Sequence, residues 1–343
     1  MSRVYLDHNA TMPLRAEARA AMISAMDVAG NPSSVHAEGR AAKALIEKAR
    51  AQVARAFGAE GADVVFTSGA TEAAALALAG RDLQGAAVEH DAVAGHVTGD
   101  IGVDGAGRIA PAPVMQLANS ETGVVQDLPA GVEVCDATQA FGKIPVAFNW
   151  IGCRMALISA HKIGGPKGIG ALVLQRGTDV AAQLTGGGQE MGRRAGTENV
   201  VGIAGFGAAA EAAMRDLDAG VWDRVRDLRD ALEARLTGEA EGLVIAGTAA
   251  PRLPNTSCLI SAGWKGETQV MQMDLAGFAV SAGSACSSGK VRESRVLRAM
   301  GYDAVQAASA IRVSLGPETT EDEIMRFADR WLAQRDKHRA RAA

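Results

Sequence analysis

An α/β fold in two units is what this chain predicts, and three observations carry the prediction. Short apolar runs alternate with stretches of helical periodicity, the pattern of a sheet covered by helices. No segment repeats at a period of 20 to 50 residues, which excludes solenoids and propellers. A long helical pattern from about Val200 to Leu236 is followed, from about Leu243, by a second set of strand and helix signals. The expected division is a large domain over 13–240 and a small domain over 241–343, joined by residues 1–12.

Each element has its own reason. Ala37 to Phe57 reads as a helix because Leu45, Ala49, Val53 and Phe57 recur every four residues. Asp63 to Phe66 reads as a buried strand, Thr67 to Gly69 as a turn, and Thr71 to Ala79 as a helix. Further strands are expected at Ala86 to Val88, Val114 to Leu117, Val132 to Cys135, Met155 to Ile158 and Ala171 to Leu174. A last helix is expected over Glu321 to Gln334, with the basic cluster Arg335 to Arg341 as a solvated tail.

Composition narrows the class of function. With 343 residues and 48% hydrophobic content, the chain can bury a large core, and wholesale disorder is excluded. A net charge of −4 and the lack of a Lys/Arg stripe leave no footprint for nucleic acid. Arg3, Asp7 and His8 interrupt any apolar leader, and Val200 to Ala210 is too short and glycine-broken to span a bilayer. The expectation is a cytoplasmic protein that touches no membrane. The four cysteines (Cys135, Cys153, Cys258, Cys286) show no C-x-x-C spacing, so neither disulfides nor a zinc site is expected.

The chemistry is signalled at Ser159-Ala160-His161-Lys162, which ends an apolar strand and meets a glycine-rich turn. Asp136 ends the preceding apolar strand. A lysine for a Schiff base and an acid for a pyridinium nitrogen are what pyridoxal phosphate requires. A lysine of ordinary pKa is neutral only about once in 2,500 molecules at pH 7, so such a lysine must be tuned by burial or neighbours. Local sequence alone is equally compatible with a surface lysine at a strand end. Gln139, three residues beyond Asp136, is placed to reach the phenolic oxygen of the same cofactor.

Other residues have two readings each. The turn Thr67-Ser68-Gly69-Ala70-Thr71-Glu72 suits a phosphate at a helix N-terminus, or an ordinary cap by Ser68 or Thr71. No Walker loop occurs, and the G-x-G-x-x-A matches at Gly105 and Gly205 lack a strand–turn–helix setting. Cys286, among small residues, is a nucleophile or an incidental thiol; at an ordinary pKa it is only a few per cent thiolate at about pH 7. Cys135 and Cys258 have the apolar surroundings of core cysteines. His90 either stacks on a pyridine ring or is structural. Arg312, in an apolar strand, needs a partner: a substrate carboxylate or an internal ion pair.

Taken in order, the motifs resemble cysteine desulfurases of the NifS/IscS type, within the class V aminotransferase-like enzymes. The matching stretches are Y-L-D-H-N-A-T from Tyr5, G-N-P-S-S-V-H from Gly30, F-T-S-G-A-T-E from Phe66 and E-H-D-A-V from Glu89. They continue with A-N-S-E-T-G from Ala118, D-A-T-Q-A-F-G-K from Asp136 and S-A-H-K-I-G-G-P-K-G from Ser159. The last are G-R-R-A-G-T-E-N from Gly192, R-L-P-N-T from Arg252 and S-A-G-S-A-C-S-S-G from Ser281. The likeness runs from Tyr5 to about Ile324.

The resemblance implies fold type I of pyridoxal-phosphate-dependent transferases, with a mainly parallel seven-stranded sheet in the large domain. It implies Lys162 as the Schiff-base lysine and proton carrier, Asp136 on the ring nitrogen, Gln139 on the phenolic oxygen and His90 stacked on the ring. It places Ala70 (through its backbone), Thr71, Ser159 and His161 on the phosphate, and Thr197 on the phosphate of a partner subunit in a homodimer. Arg312 is implied to hold the substrate carboxylate, and Cys286 to attack the sulfur of L-cysteine and carry it as a persulfide, leaving L-alanine. The acceptor is implied to be an iron–sulfur scaffold or a tRNA-thiolation enzyme. The alternatives are a selenocysteine lyase or another class V lyase or aminotransferase, and a non-catalytic scaffold. Ser120 stands where the family has an asparagine, Ala70 where it has a glycine. The stretch between His90 and Asn119, and the tail after Glu323, are short for the family.

Overall fold

The computed structural model describes residues 3–283 and 293–342. Its central sheet has five strands in the order Asp63–Thr67, Gly170–Leu174, Met155–Ser159, Val134–Asp136, Val114–Gln116. Four run in one direction, and Gly170–Leu174 runs antiparallel to both neighbours. The central sheet is mainly parallel as expected, but it holds five strands where seven were expected. Gln84–Ala86 and Thr98–Ile101 form a separate parallel ladder whose register slips between Gln84 and Ala86. The Glu89 amide donates to the Ala86 carbonyl at 3.1 Å, closing a turn that ends this strand before Val88.

Alternation along the strands divides their side chains between two faces. Phe66, Ala156, Ile158, Ala171 and Val173 join one cluster with Ile46, Val53 and Phe206. Val65, Met155, Leu157, Leu172 and Leu174 join another with Leu76 and Leu78 of the helix Ala70–Leu78. The sheet is therefore buried on both sides. In the helix Ala37–Ala56 the buried stripe is Ala42, Ile46, Ala49 and Val53, with Leu45 only half-buried. The 3.6-residue turn favours Ile46 over the strict four-residue series.

The long helical pattern after residue 200 is two helices, Val200–Asp218 and Val221–Glu239. Gly220 separates them at φ +70°, a left-handed conformation that a side chain would strain. Trp222, Val225, Leu232 and Leu236 of the second helix pack with Trp264, Phe327 and Trp331 in a further core. That core surrounds an antiparallel sheet in the order Ser281–Ala282, Ala310–Ser314, Thr256–Ile260, Val244–Ile245. Val4–Tyr5 pairs in parallel with Phe278–Ala279, and Val4 and Leu6 are buried in this same core.

The basic cluster at the end is not all solvated tail. The final helix runs Glu321–Ala342, and Arg335 is buried against the ring of Trp331. Its Nε donates to Ser261 Oγ at 3.2 Å, and Nη2 donates to the Glu241 carbonyl. The guanidinium over Trp331 and its two hydrogen bonds tie this turn of the helix to the second core. Among the described residues, no helix is long and apolar enough to cross a membrane, and no group of His, Cys, Asp and Glu is arranged for a metal ion. Cys135, Cys153 and Cys258 are free and buried.

Candidate active site

Strands that run the same way deliver their last residues to one edge of the sheet, where α/β proteins bind ligands. Asp136 ends Val134–Asp136, Ser159 ends Met155–Ser159, and the single turn Ala160–Lys162 presents His161 and Lys162 directly after it. A cavity of about 620 Å³ opens at this edge. Ala70, Thr71, His90, Asp136, Gln139, Ser159, His161, Lys162 and Arg312 all line it. Nine residues expected to act together, spread over 243 positions from Ala70 to Arg312, thus line one cavity.

At one end the strand Asp63–Thr67 turns into the helix Ala70–Leu78. Gly69 is the N-cap, and no side chain caps it, so neither Ser68 nor Thr71 plays that part. Gly69, Ala70 and Thr71 at the start of this helix line the cavity, and a helix N-terminus of this kind suits a phosphate. Glu72 accepts from the Ser68 amide at 2.7 Å and pairs with Arg194 at 2.8 Å, so its charge is compensated. Gly170 makes the turn possible: a Cβ there would lie 2.7 Å from the Gly69 backbone. His161 is pushed down to about 4, first by burial and then by Lys162, Lys167 and Lys143. It is neutral at pH 7 and free to accept or donate a hydrogen bond rather than carry charge.

At the other end Lys162 Nζ donates to the carbonyls of Asn9 at 2.6 Å and Ala10 at 2.9 Å. Gln139 Nε2 donates to the same Asn9 carbonyl at 2.9 Å, while its Oε1 accepts from Lys143 Nζ at 2.6 Å. Asp136 Oδ1 accepts from the Thr138 amide at 2.9 Å, which fixes the carboxylate at the strand end. His90 caps the short helix Asp91–Ala94, with Nδ1 accepting from the Ala92 amide at 3.1 Å. Beside it Glu89 is wholly buried and pushed well above the usual carboxylate range, chiefly by burial.

Arg312 enters from the second sheet. Nη2 donates to Asp7 Oδ1 at 2.8 Å and Nη1 to the Ser120 carbonyl at 2.9 Å. Both readings of this arginine therefore meet: it has an internal ion pair and it lines the cavity. Its Nε is buried without a hydrogen-bond partner.

Two expected residues are not in this group. Thr197 lines a smaller neighbouring hollow of about 190 Å³, which shares Ser68 and Gly168 with the larger cavity. Cys286 lies outside the described residues. Conversely, sequence reasoning passed over Asp7, Asn9 and Lys143. Asp7 and Asn9 lie inside the first motif and Lys143 ends the Asp136 motif, so their signal was position within a motif rather than chemistry.

The donor set suits pyridoxal phosphate. One end offers helix amides and hydroxyls, the other a lysine, a carboxylate and an amide donor. Thr11 Oγ1, Gln116 Nε2 and Thr138 Oγ1 line the same cavity as buried polar atoms without partners, an arrangement that calls for a polar occupant.

The architecture is fold type I of the pyridoxal-phosphate-dependent enzymes, a mainly parallel central sheet with a smaller α/β unit. The chain belongs to the family described as Aminotransferase class-V, whose model matches residues 4–94 and 114–327. It is 39% identical to a cysteine desulfurase of Cereibacter sphaeroides, over 96% of this chain and 95% of that one. It is 36% identical to a cysteine desulfurase IscS of Dictyoglomus turgidum, over 94% of this chain and 91% of that one. Among solved structures, a NifS-like protein from Rickettsia africae superposes with a TM-score of 0.89 at 32% identity, covering 97% of this chain and 99% of that one.

Proposed function

We propose that this protein is a cysteine desulfurase using pyridoxal phosphate, converting L-cysteine to L-alanine and passing the sulfur to Cys286. The observation that carries the reading is the meeting of Lys162, Asp136 and Arg312 in one cavity, a lysine and a carboxylate from the sheet edge and an arginine from the second unit. Relatives named cysteine desulfurase along almost the whole chain support it.

Ala70 and Thr71 at the helix N-terminus, with Ser159 and His161, would hold the cofactor's phosphate. Asp136 would hold a proton on its ring nitrogen, Gln139 would donate to its phenolic oxygen, and His90 would pack on its ring. When bound, the cofactor supplies the electron sink that stabilises charge at the substrate Cα. Lys162 would hold the cofactor and move the substrate Cα proton. Arg312 orients the substrate by its carboxylate. Cys286 as thiolate attacks the substrate Sγ: the S–S bond forms, the Cβ–S bond breaks, and the electron pair left on carbon is taken up by a proton, giving alanine.

The reading extends to a homodimer in which Thr197 contacts the partner subunit's phosphate, and to a cytoplasmic setting with an acceptor protein, either an iron–sulfur scaffold or a tRNA-thiolation enzyme. Exposure of Thr197 on the neighbouring hollow supports the first extension.

Cys286→Ala tests the sulfur-transfer step. Sulfide release from L-cysteine should disappear while the visible absorption of the bound cofactor is unchanged. Full sulfide release by this variant would remove the persulfide from the mechanism.

A further inference from the structure

Lys143 is the one lysine in the described structure that is fully buried, and nothing in the reaction as derived above uses it. Its Nζ bridges two amide oxygens, Gln139 Oε1 at 2.6 Å and Asn9 Oδ1 at 3.0 Å. The backbone delivers it there through Gly142 at φ +72°, where a Cβ would meet Ile163 and Ala213 at under 3 Å. An amine of this kind presents N–H groups, and a carboxamide is ambiguous: either end can face a given neighbour unless that neighbour only donates. A donor pressed against Gln139 therefore selects the oxygen end and leaves the NH₂ end to donate, one hydrogen to the Asn9 carbonyl at 2.9 Å and one to spare.

The same selection is reinforced at Asn9. Its Oδ1 also accepts from Asn255 Nδ2 at 3.0 Å, while its Nδ2 donates to Thr256 Oγ1 at 2.8 Å. Thr256 Oγ1 in turn donates to Asn255 Oδ1 at 3.0 Å. Every donor in this buried ring has an acceptor, so no single amide can flip alone without leaving an unpaired group.

We infer that Lys143 is a positioning residue: it fixes the carboxamide of Gln139 so that its NH₂ donates to the phenolic oxygen of the bound cofactor. The inference rests on the cofactor reading above. Burial drives the Lys143 amine well below the usual lysine range, with Lys162 and Arg312 adding to the effect. As an ammonium Lys143 only donates; as a neutral amine both of its N–H groups are taken by Gln139 and Asn9, so the oxygen end of Gln139 faces it in either state. The other titratable neighbours, His8 and His161, are themselves pushed down in part by Lys143, so its influence reaches both sides of the site.

The test is the pH midpoint of the visible band of the holoenzyme, which reports the proton shared between the Lys162 imine nitrogen and the phenolic oxygen. A donor on that oxygen lowers the midpoint, and so does a nearby positive charge; loss of either raises it. Lys143→Met should move the midpoint up by about one pH unit. Lys143→Gln, whose amide both donates and accepts and so no longer dictates orientation, should shift it in the same direction by less, and serves if the methionine variant does not fold. In a Gln139→Ala background, Lys143→Met should add less than half of its single-variant shift. An unmoved midpoint in cofactor-loaded Lys143 variants, or a full additive shift on top of Gln139→Ala, overturns the inference. Failure of the wild-type protein to take up pyridoxal phosphate would instead strike the cofactor reading itself.

Discussion

Arg312 and Asp7 form an ion pair at 2.8 Å, with side chains only 6% and 17% exposed. Asp7 Oδ2 also accepts from Ser281 Oγ at 2.8 Å, so the N-terminal segment braces the arginine from two strands of the second sheet. The guanidinium is thus held in one orientation before any substrate arrives. A fork held in this way binds a carboxylate at low entropic cost. Lysine in its place keeps a charge but loses the fork. Arg312→Lys should raise the KM for L-cysteine by roughly 10- to 100-fold, the worth of one or two charge-assisted hydrogen bonds. Steady-state kinetics check this, and an unchanged KM would remove Arg312 from substrate binding.

Lys162 is proposed to move the Cα proton, a task whose loss costs about 10²- to 10⁴-fold in rate. Lys162→Ala should lower kcat within that range. The variant should still bind pyridoxal phosphate through the helix N-terminus at Ala70 and the Ser159–His161 turn. Equilibrium dialysis of the cofactor beside single-turnover alanine formation separates the two effects.

Among the buried groups that make stability depend on pH, His8 and Glu121 act with opposite sign. His8 is pushed down to about 4, mainly by burial. Between its unfolded value of about 6.5 and 4, the unfolded chain binds the proton and the fold does not, so stability is lost as pH falls. Glu121 is pushed up to about 7 by burial, opposed by the Ser294 hydroxyl that donates to it. There the fold holds the proton and the unfolded chain does not, so stability is lost as pH rises from about 4.5 to 7. Each shift corresponds to about 3 kcal/mol over its window. Glu121→Gln removes the second term. The melting temperature of the variant relative to wild type should climb from pH 4.5 to pH 8; a constant difference would contradict the assignment.

Glu190 anchors the wall of the smaller hollow. Its side chain is 2% exposed, pairs with Arg50 at 2.8 Å and accepts from the Phe66 amide at 2.9 Å. Arg50→Ala leaves this carboxylate buried without its cation, a change that costs about 3–5 kcal/mol. Urea denaturation should show the loss, and Arg50→Lys should recover part of it.

Much of the site was legible because its residues sit at strand ends, where an apolar run stops abruptly against polar and glycine residues. Lys162 and Asp136 were visible for that reason. Lys143 was not: a lysine after a glycine reads as a surface turn, and only the packing of Asn9 and Gln139 around it makes it a buried donor. Asp7 and Asn9 escaped because their partners, Arg312, Ser120 and Thr256, are more than a hundred residues away. The break at Gly220 was hidden by apolar periodicity that continues across it. The split of the sheet was hidden because the turn hydrogen bond at Ala86 leaves no mark in hydrophobicity. Arg335 misled for the opposite reason, since a charge run at a chain end conceals which guanidinium lies over Trp331.

The central claim is the conversion of L-cysteine to L-alanine with release of its sulfur, and one measurement tests it directly. Purified protein loaded with pyridoxal phosphate is mixed with L-cysteine and a thiol reductant, and alanine and sulfide are quantified together. Equal amounts of both over many turnovers are the predicted result. Cofactor-loaded protein that yields neither product, or sulfide accompanied by pyruvate and ammonia in place of alanine, would contradict it.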